Sequence, residues 1–95
     1  MEASLATTGV PRFARGVRLR HDEARGQWVL LAPERVLQPD GVAVEILKRV
    51  DGARTLDGIV DDLAATFAAD RNQIAADVSA FLGDLMEKGM LEMRP

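Results

Sequence analysis

Apolar and polar positions follow two regimes along this chain. Up to Leu37 they alternate or run in short blocks; beyond Asp40 they recur at helical spacing. Val17-Arg18-Leu19-Arg20 alternates apolar and basic residues, the pattern of a half-buried strand with Val17 and Leu19 inward. Asp22 to Gly26 is turn material, and Gly26 is free to take a positive φ. Gln27-Trp28-Val29-Leu30-Leu31 is rich in β-formers and predicts an antiparallel partner for the first strand. Its unbroken apolar run predicts partial cover on both faces. Pro33 ends that strand, because proline has no N–H to give a ladder. Arg35-Val36-Leu37 predicts a short third strand, and Gln38-Pro39 closes the sheet region.

Three helices follow. Asp40 is placed to cap the first, whose face carries Val42, Ala43, Ile46, Leu47 and Val50, with Asp51-Gly52 as its stop. Thr55 caps the second, whose stripe is Leu56, Ile59, Val60, Leu63 and Phe67, ending at Ala68-Ala69. Asp70 and Gln73 have capping-box spacing at the head of the third, which runs from Arg71 to Lys88. Gly89 suits the position after its end, with Met90 folding back on Leu85. Met90 to Met93 continues as a short extended tail on the core.

Strands first and helices after predict an α+β domain: a three-stranded antiparallel sheet followed by three helices. The pair Thr55–Phe67 and Arg71–Lys88 with a hairpin attached has a winged helix-turn-helix-like outline. Residues 1–10 are small, polar and aperiodic and are expected to be disordered; residues 11–95 form the domain.

Composition narrows the chemistry. No cysteine is present, and histidine is limited to His21, so disulfides, thiolate nucleophiles and cysteine-held metal clusters are excluded. His21, beside Asp22 and Glu23, lacks further ligands at metal-binding spacing and is expected at a surface turn. Ser79 has no paired histidine or aspartate in view, and the glycines make no phosphate loop. No catalytic residue, cofactor or metal is expected. No apolar run approaches the ~20 residues of a membrane span, and the first residues lack the parts of a secretion signal, so the expected location is cytoplasmic.

Charge divides the chain. Residues 1–38 hold six Arg and four acids; residues 39–95 hold six Lys or Arg and eleven acids. The third helix carries Arg71 and Lys88 against Asp77, Asp84 and Glu87, a poor footprint for a helix approaching phosphates. Arg12, Arg15, Arg18, Arg20 and Arg25 are expected on a solvated strand face, where edge charges discourage sheet aggregation. Trp28 is expected in the core.

The third helix has apolar positions Ile74, Ala75, Val78, Phe81, Leu82, Leu85 and Met86, an arc of roughly 140° at about 100° per residue. One core alone needs somewhat more than about 100°. The excess is small, and periodicity alone favours a stripe that is all core; the alternative is a second contact, a groove for an extended peptide. Arg35, Val36 and Leu37 would offer an open strand edge. Ala75, Val78, Ser79, Leu82 and Met86 would face the ligand, the small residues leaving room and Met86 adapting its shape. A charge at Leu82 is then expected to weaken peptide binding more than stability. An open edge also allows strand exchange, giving a monomer or a weak dimer.

Val29-Leu30-Leu31-Ala32-Pro33-Glu34, Val36-Leu37, Ala43-x-x-Ile46-Leu47, Asp51-Gly52-x-Arg54-Thr55 and Asp77-Val78-x-x-Phe81-Leu82-x-x-Leu85-x-x-x-Gly89-x-Leu91 together form an ordered set. That set, from about Pro11 to Leu91, resembles the PqqD family of pyrroloquinoline quinone biosynthesis. The family often has Leu-Asn before the first helix, where this chain has Leu37-Gln38-Pro39-Asp40. The resemblance implies a RiPP recognition element, not an enzyme. It implies a peptide chaperone that binds the ribosomal precursor peptide PqqA. It would present that peptide to the radical-SAM enzyme PqqE, which cross-links a Glu and a Tyr of it. It also implies a peptide added at the third strand, here Arg35–Leu37, against the third helix. A recognition domain of another peptide pathway, or a winged-helix nucleic-acid binder, is the alternative.

Overall fold

The computed structural model describes residues 8–94. In order these are β1 (Val10–Phe13), β2 (Arg18–Asp22), β3 (Gln27–Ala32), β4 (Arg35–Leu37), α1 (Gly41–Leu47), α2 (Leu56–Phe67), α3 (Arg71–Glu87) and β5 (Leu91–Arg94). The α+β class, the antiparallel sheet and the three helices are as the pattern predicts. Strand β1 was not anticipated, and the extended tail expected at Met90 to Met93 is found as strand β5. The two pair with each other in a second, two-stranded sheet, while β2-β3-β4 form the first.

In the first sheet Leu19 lies opposite Leu30 and Arg20 opposite Val29. Side chains alternate along a strand, so Leu19 and Leu30 turn inward while Arg18, Arg20, Val29 and Leu31 turn out. Leu30 is only 1% exposed. The two residues Pro33-Glu34 reverse the chain into β4, where Leu37 lies opposite Leu30 and Val36 opposite Leu31. Leu37 therefore faces the helices, and Val36, 60% exposed, faces out. Gly16, at φ +80°, lets the β1–β2 link pass close to that turn: a Cβ there would stand 3.1 Å from Pro33 Cγ.

The helix caps behave as predicted at their starts. Asp40 accepts from the Ala43 N–H at 2.8 Å, Thr55 from Gly58 at 3.0 Å and Asp70 from Gln73 at 3.2 Å. The capping box is only half made, because the Gln73 side chain donates to Asp77 instead of returning to Asp70. α1 ends earlier than its apolar stripe implies. The Arg49 and Val50 N–H groups reach back to the carbonyls of Ile46 and Leu47, tightening the final turn. Asp51 then accepts from the Ala53 and Arg54 N–H groups, both at 2.9 Å. After α3 the Gly89 N–H bonds the Met86 carbonyl and the Met90 N–H bonds that of Leu85, with Gly89 at φ +75°. This is a Schellman closure, and it delivers Met90 to the core at 2% exposure.

That closure also aims the chain at β1. Arg12 lies opposite Glu92 and bonds it at 3.0 Å; Pro11 lies opposite Met93. Proline is tolerated there because, among the described residues, each strand has an open edge. The Gly9 carbonyl accepts from the Leu56 N–H at 2.8 Å, satisfying a donor at the head of α2. Gly9 and Val10, at the end of the segment 1–10 expected to be disordered, are tied to α2 and β5. Residues 1–7 lie outside the described residues.

One core joins the sheet to the helices through Leu30, Leu47, Ile59, Leu82, Leu85 and Leu91. Two residues of the expected helix stripes lie exposed. Phe67 is 52% and Val42 65% exposed, each lying at a helix end where the neighbouring helix no longer covers it. Val44, off the predicted stripe, is buried instead. No helix among the described residues is long and apolar enough to cross a membrane.

Candidate functional site: a cleft between the edge strand and α3

Among the described residues β4 pairs only with β3, leaving its other edge open. Beside it lies a cleft of about 480 Å³. Leu30 and Leu37 form its sheet wall, and the connection Gln38-Pro39-Asp40 passes along it. α1 contributes Val42, Ala43, Ile46 and Leu47; α3 contributes Asp77, Phe81, Asp84, Leu85 and Lys88. Floor and walls are apolar, and the α3 rim is charged. A second hollow of about 430 Å³ continues between the three helices, sharing Val42, Ile46 and Asp77 and adding Leu63, Phe67, Ile74 and Val78. The exposed Val42 and Phe67 stand at this hollow.

This arrangement changes which margin of α3 meets the cleft. The edge strand lies where expected, and Leu37 lines the cleft. Arg35 shares its face, while Val36 points the other way and leaves only its backbone at the edge. The expected α3 margin does not line this cleft. Val78 and Leu82 are 1% and 0% exposed, sealed against the sheet and the other helices. Ala75 and Met86 pack half-buried against that core, and neither they nor Ser79 line the cleft. The opposite margin, Asp77, Phe81, Asp84 and Lys88, lines it instead. Both margins satisfy the helical period. The rotation of α3 about its axis is set by which side α2 and β5 cover, and that is a tertiary fact.

Ion pairs brace the helices around the cleft. Arg49, only 13% exposed, bonds Glu45 at 3.0 Å and Asp62 at 2.5 Å, tying α1 to α2. The Arg49 hydrogen bond holds the Glu45 carboxyl below its ordinary value. Burial opposes the Arg49 charge, but Asp62 and Glu45 outweigh it and raise its pKa. Arg71 at the head of α3 bonds Asp57 and Asp61 of α2, and those bonds raise its pKa. Lys88 bonds Asp84 at 2.5 Å. The two cations of α3 are therefore already engaged by carboxylates.

Neither of the remaining candidates, Trp28 and His21, lines the cleft. Trp28 is half-buried rather than core, with the His21 ring 4.9 Å away and the Lys48 ammonium 5.0 Å over its face. His21 sits inside β2 rather than in the turn and contacts Glu23 at 3.3 Å. Among the described residues no cluster of His, Cys, Asp or Glu is arranged to hold a metal ion.

Comparison with known proteins gives a consistent set of matches. The family model for Coenzyme PQQ synthesis protein D (PqqD) matches residues 27–91. A relative called PqqA binding protein, from Rhodopseudomonas palustris (strain HaA2), is 52% identical over 88 residues, 93% of this chain and 86% of its own. A second of that name, from Xanthomonas oryzae pv. oryzae (strain PXO99A), is 45% identical over 91 residues, covering 96% and 99%. Among solved structures, the solution structure of the PqqD truncation of Methylobacterium extorquens PqqCD matches with a TM-score of 0.78 at 46% identity, over 94% of this chain and 95% of that one. It is described as a functional, stand-alone RiPP recognition element. The crystal structure of PqqD from Xanthomonas campestris matches with a TM-score of 0.59 at 47% identity, over 82% and 87%.

Proposed function

The chain belongs to the PqqD family, and we propose that it binds the precursor peptide PqqA in the β4–α3 cleft and presents it to the radical-SAM enzyme PqqE. The observation that carries this reading is the pairing of an open strand edge with an apolar cleft beside it. An extended peptide joining β4 satisfies the unpaired backbone groups of Arg35, Val36 and Leu37. Its inward side chains then rest between Leu37 and Phe81. Curated relatives about half identical to this chain carry the name PqqA binding protein, which supports the choice of ligand.

The domain, residues 11–95 in this reading with Gly9 and Val10 added, acts by binding and not by catalysis. The chemistry belongs to the partner enzyme, in the cytoplasm, and the domain works as a monomer or weak dimer. We read α2, the turn at Ala68–Asp70 and α3, with the β2–β3 hairpin as wing, as a winged helix-turn-helix-like arrangement. Nucleic-acid binding through α3 is disfavoured, because Arg71 and Lys88 are held by Asp57, Asp61 and Asp84. Phosphate contacts need free cations.

The test is an amide NMR titration with PqqA, beside calorimetry. Shifts are expected at Leu37, Gln38, Phe81 and Asp84, with little change at Ala75 and Ser79. Absence of binding at tens of micromolar peptide would sink the proposal. A steep salt slope with DNA and none with peptide would favour the nucleic-acid alternative. Addition of PqqE to the labelled complex should broaden further resonances; an unchanged spectrum would remove the presentation step.

A further inference from the structure

The cleft has two electrically different ends. Arg35 and Leu37 share one face of β4, two residues apart, and Leu37 lies in the cleft. Arg35 therefore stands at the end of the cleft nearest the Pro33-Glu34 turn. A shallow extension of about 280 Å³ opens there, where Arg35 meets Arg15 and Lys88, with Glu34 as its one carboxylate. Lys88 belongs to both spaces. Arg15 and Arg35 form no ion pair among the described residues. At the other end stand Asp40 and Asp77. Asp77 receives a neutral donor, Gln73, and no cation among the described residues. Asp84, between the ends, is already matched by Lys88.

We propose that this gradient sets the chemical class and direction of the bound segment. The inference rests on the peptide-binding reading above. Asp77 and Lys88 are eleven residues apart on α3, about 16 Å at helical rise. An extended chain covers that distance in about five residues. Side chains on one face of a strand fall at even spacing. The ligand is thus a strand with a cation at one position, an apolar side chain two further on, and a carboxylate four to six positions from the cation. The cation lies at Asp77 and Asp40, the apolar side chain between Leu37 and Phe81, and the carboxylate at Arg35 and Arg15. An antiparallel partner is the more stable addition to an edge. β4 runs from the basic end to the acidic end, so the ligand runs from cation to carboxylate in its N-to-C direction.

Two synthetic peptides of equal composition test this. One carries Lys, Leu and Glu at positions i, i+2 and i+4; the other carries Glu, Leu and Lys. Binding is read by amide shifts of the wild-type domain at low and at high salt. The first peptide is expected to bind about three- to tenfold more tightly, the preference fading at high salt. The double variant Arg35→Glu/Asp77→Lys, at two exposed positions, should reverse the order; circular dichroism checks its fold. Equal affinities, a reversed order in the wild type, or no shift with either peptide at millimolar concentration overturns the charge register. Binding of PqqA itself, measured in parallel, separates the two readings: if PqqA binds while the synthetic pair are not distinguished, only the gradient falls.

Discussion

Phe81 and Leu82 are neighbours in the chain that lie in different compartments. Leu82 is 0% exposed in the core, and Phe81 stands half-buried in the wall of the β4–α3 cleft. One residue of helix turns a side chain by about 100°, which suffices to move it from packing to binding. Leu82→Ala should cost about 2–5 kcal/mol of stability, and Leu82→Asp should unfold the domain. Phe81→Ala should cost about 1–2 kcal/mol, since only part of its area is buried. It should nevertheless weaken PqqA at least several-fold. Urea denaturation and calorimetry on the same variants read both; a Phe81 variant that binds as wild type would remove α3 from the site.

Val36 and Leu37 make the same comparison on the strand. Val36 faces out and offers its backbone, so Val36→Thr should leave peptide affinity within about twofold. Leu37→Ala removes apolar surface from the cleft wall and should weaken it clearly more. Equal losses in a titration series would mean that the ligand wraps the outer face of the sheet.

Two turn positions have opposite expectations. Ala68 ends α2 at φ +50°, a conformation that costs an L side chain about 1–2 kcal/mol. Glycine carries its own entropy cost, so Ala68→Gly should stabilise by about 0.5–1 kcal/mol. That raises Tm by roughly 2–8 °C for a domain of this size. Gly89 sits at φ +75° with open space where a Cβ would stand. Gly89→Ala should lose about 1 kcal/mol through the backbone alone. Thermal melts check the pair.

Acid should destabilise the domain through two carboxylates. The Arg49 hydrogen bond lowers the Glu45 pKa from 4.5, and the N–H groups of Arg54 and Ala53 lower that of Asp51 from 3.8. A carboxylate whose folded pKa is depressed adds stability in full above its unfolded pKa. That stability is lost as pH falls through the folded value. Tm should therefore fall on acidification below the ordinary carboxylate range. Asp51→Asn should flatten part of that fall; a variant with the wild-type slope would show that Asp51 contributes none of it.

The sequence alone determined much of this protein, because local physics acts over a few residues. Asp40, Thr55 and Asp70 mark the helix starts, since a side-chain oxygen there satisfies a backbone N–H three residues on. Gly89 and Met90 mark the end of α3, and the alternation around Leu19, Leu30 and Leu37 sets the inner face of the sheet. The ordered motifs also revealed the family. Tertiary structure decided the rest. β1 and β5 are each four residues long and far apart in the chain, so neither signals its partner. The alternation Leu91-Glu92-Met93-Arg94 and the complementary Arg12 and Glu92 were the available hints. The margin of α3 that meets the cleft was open as well. Periodicity states that Phe81, Leu82 and Met86 share an apolar arc, but not which edge of that arc the other helices and β5 cover. Only packing against those elements buries Val78 and Leu82 and leaves Asp77, Phe81 and Lys88 beside the open edge of β4.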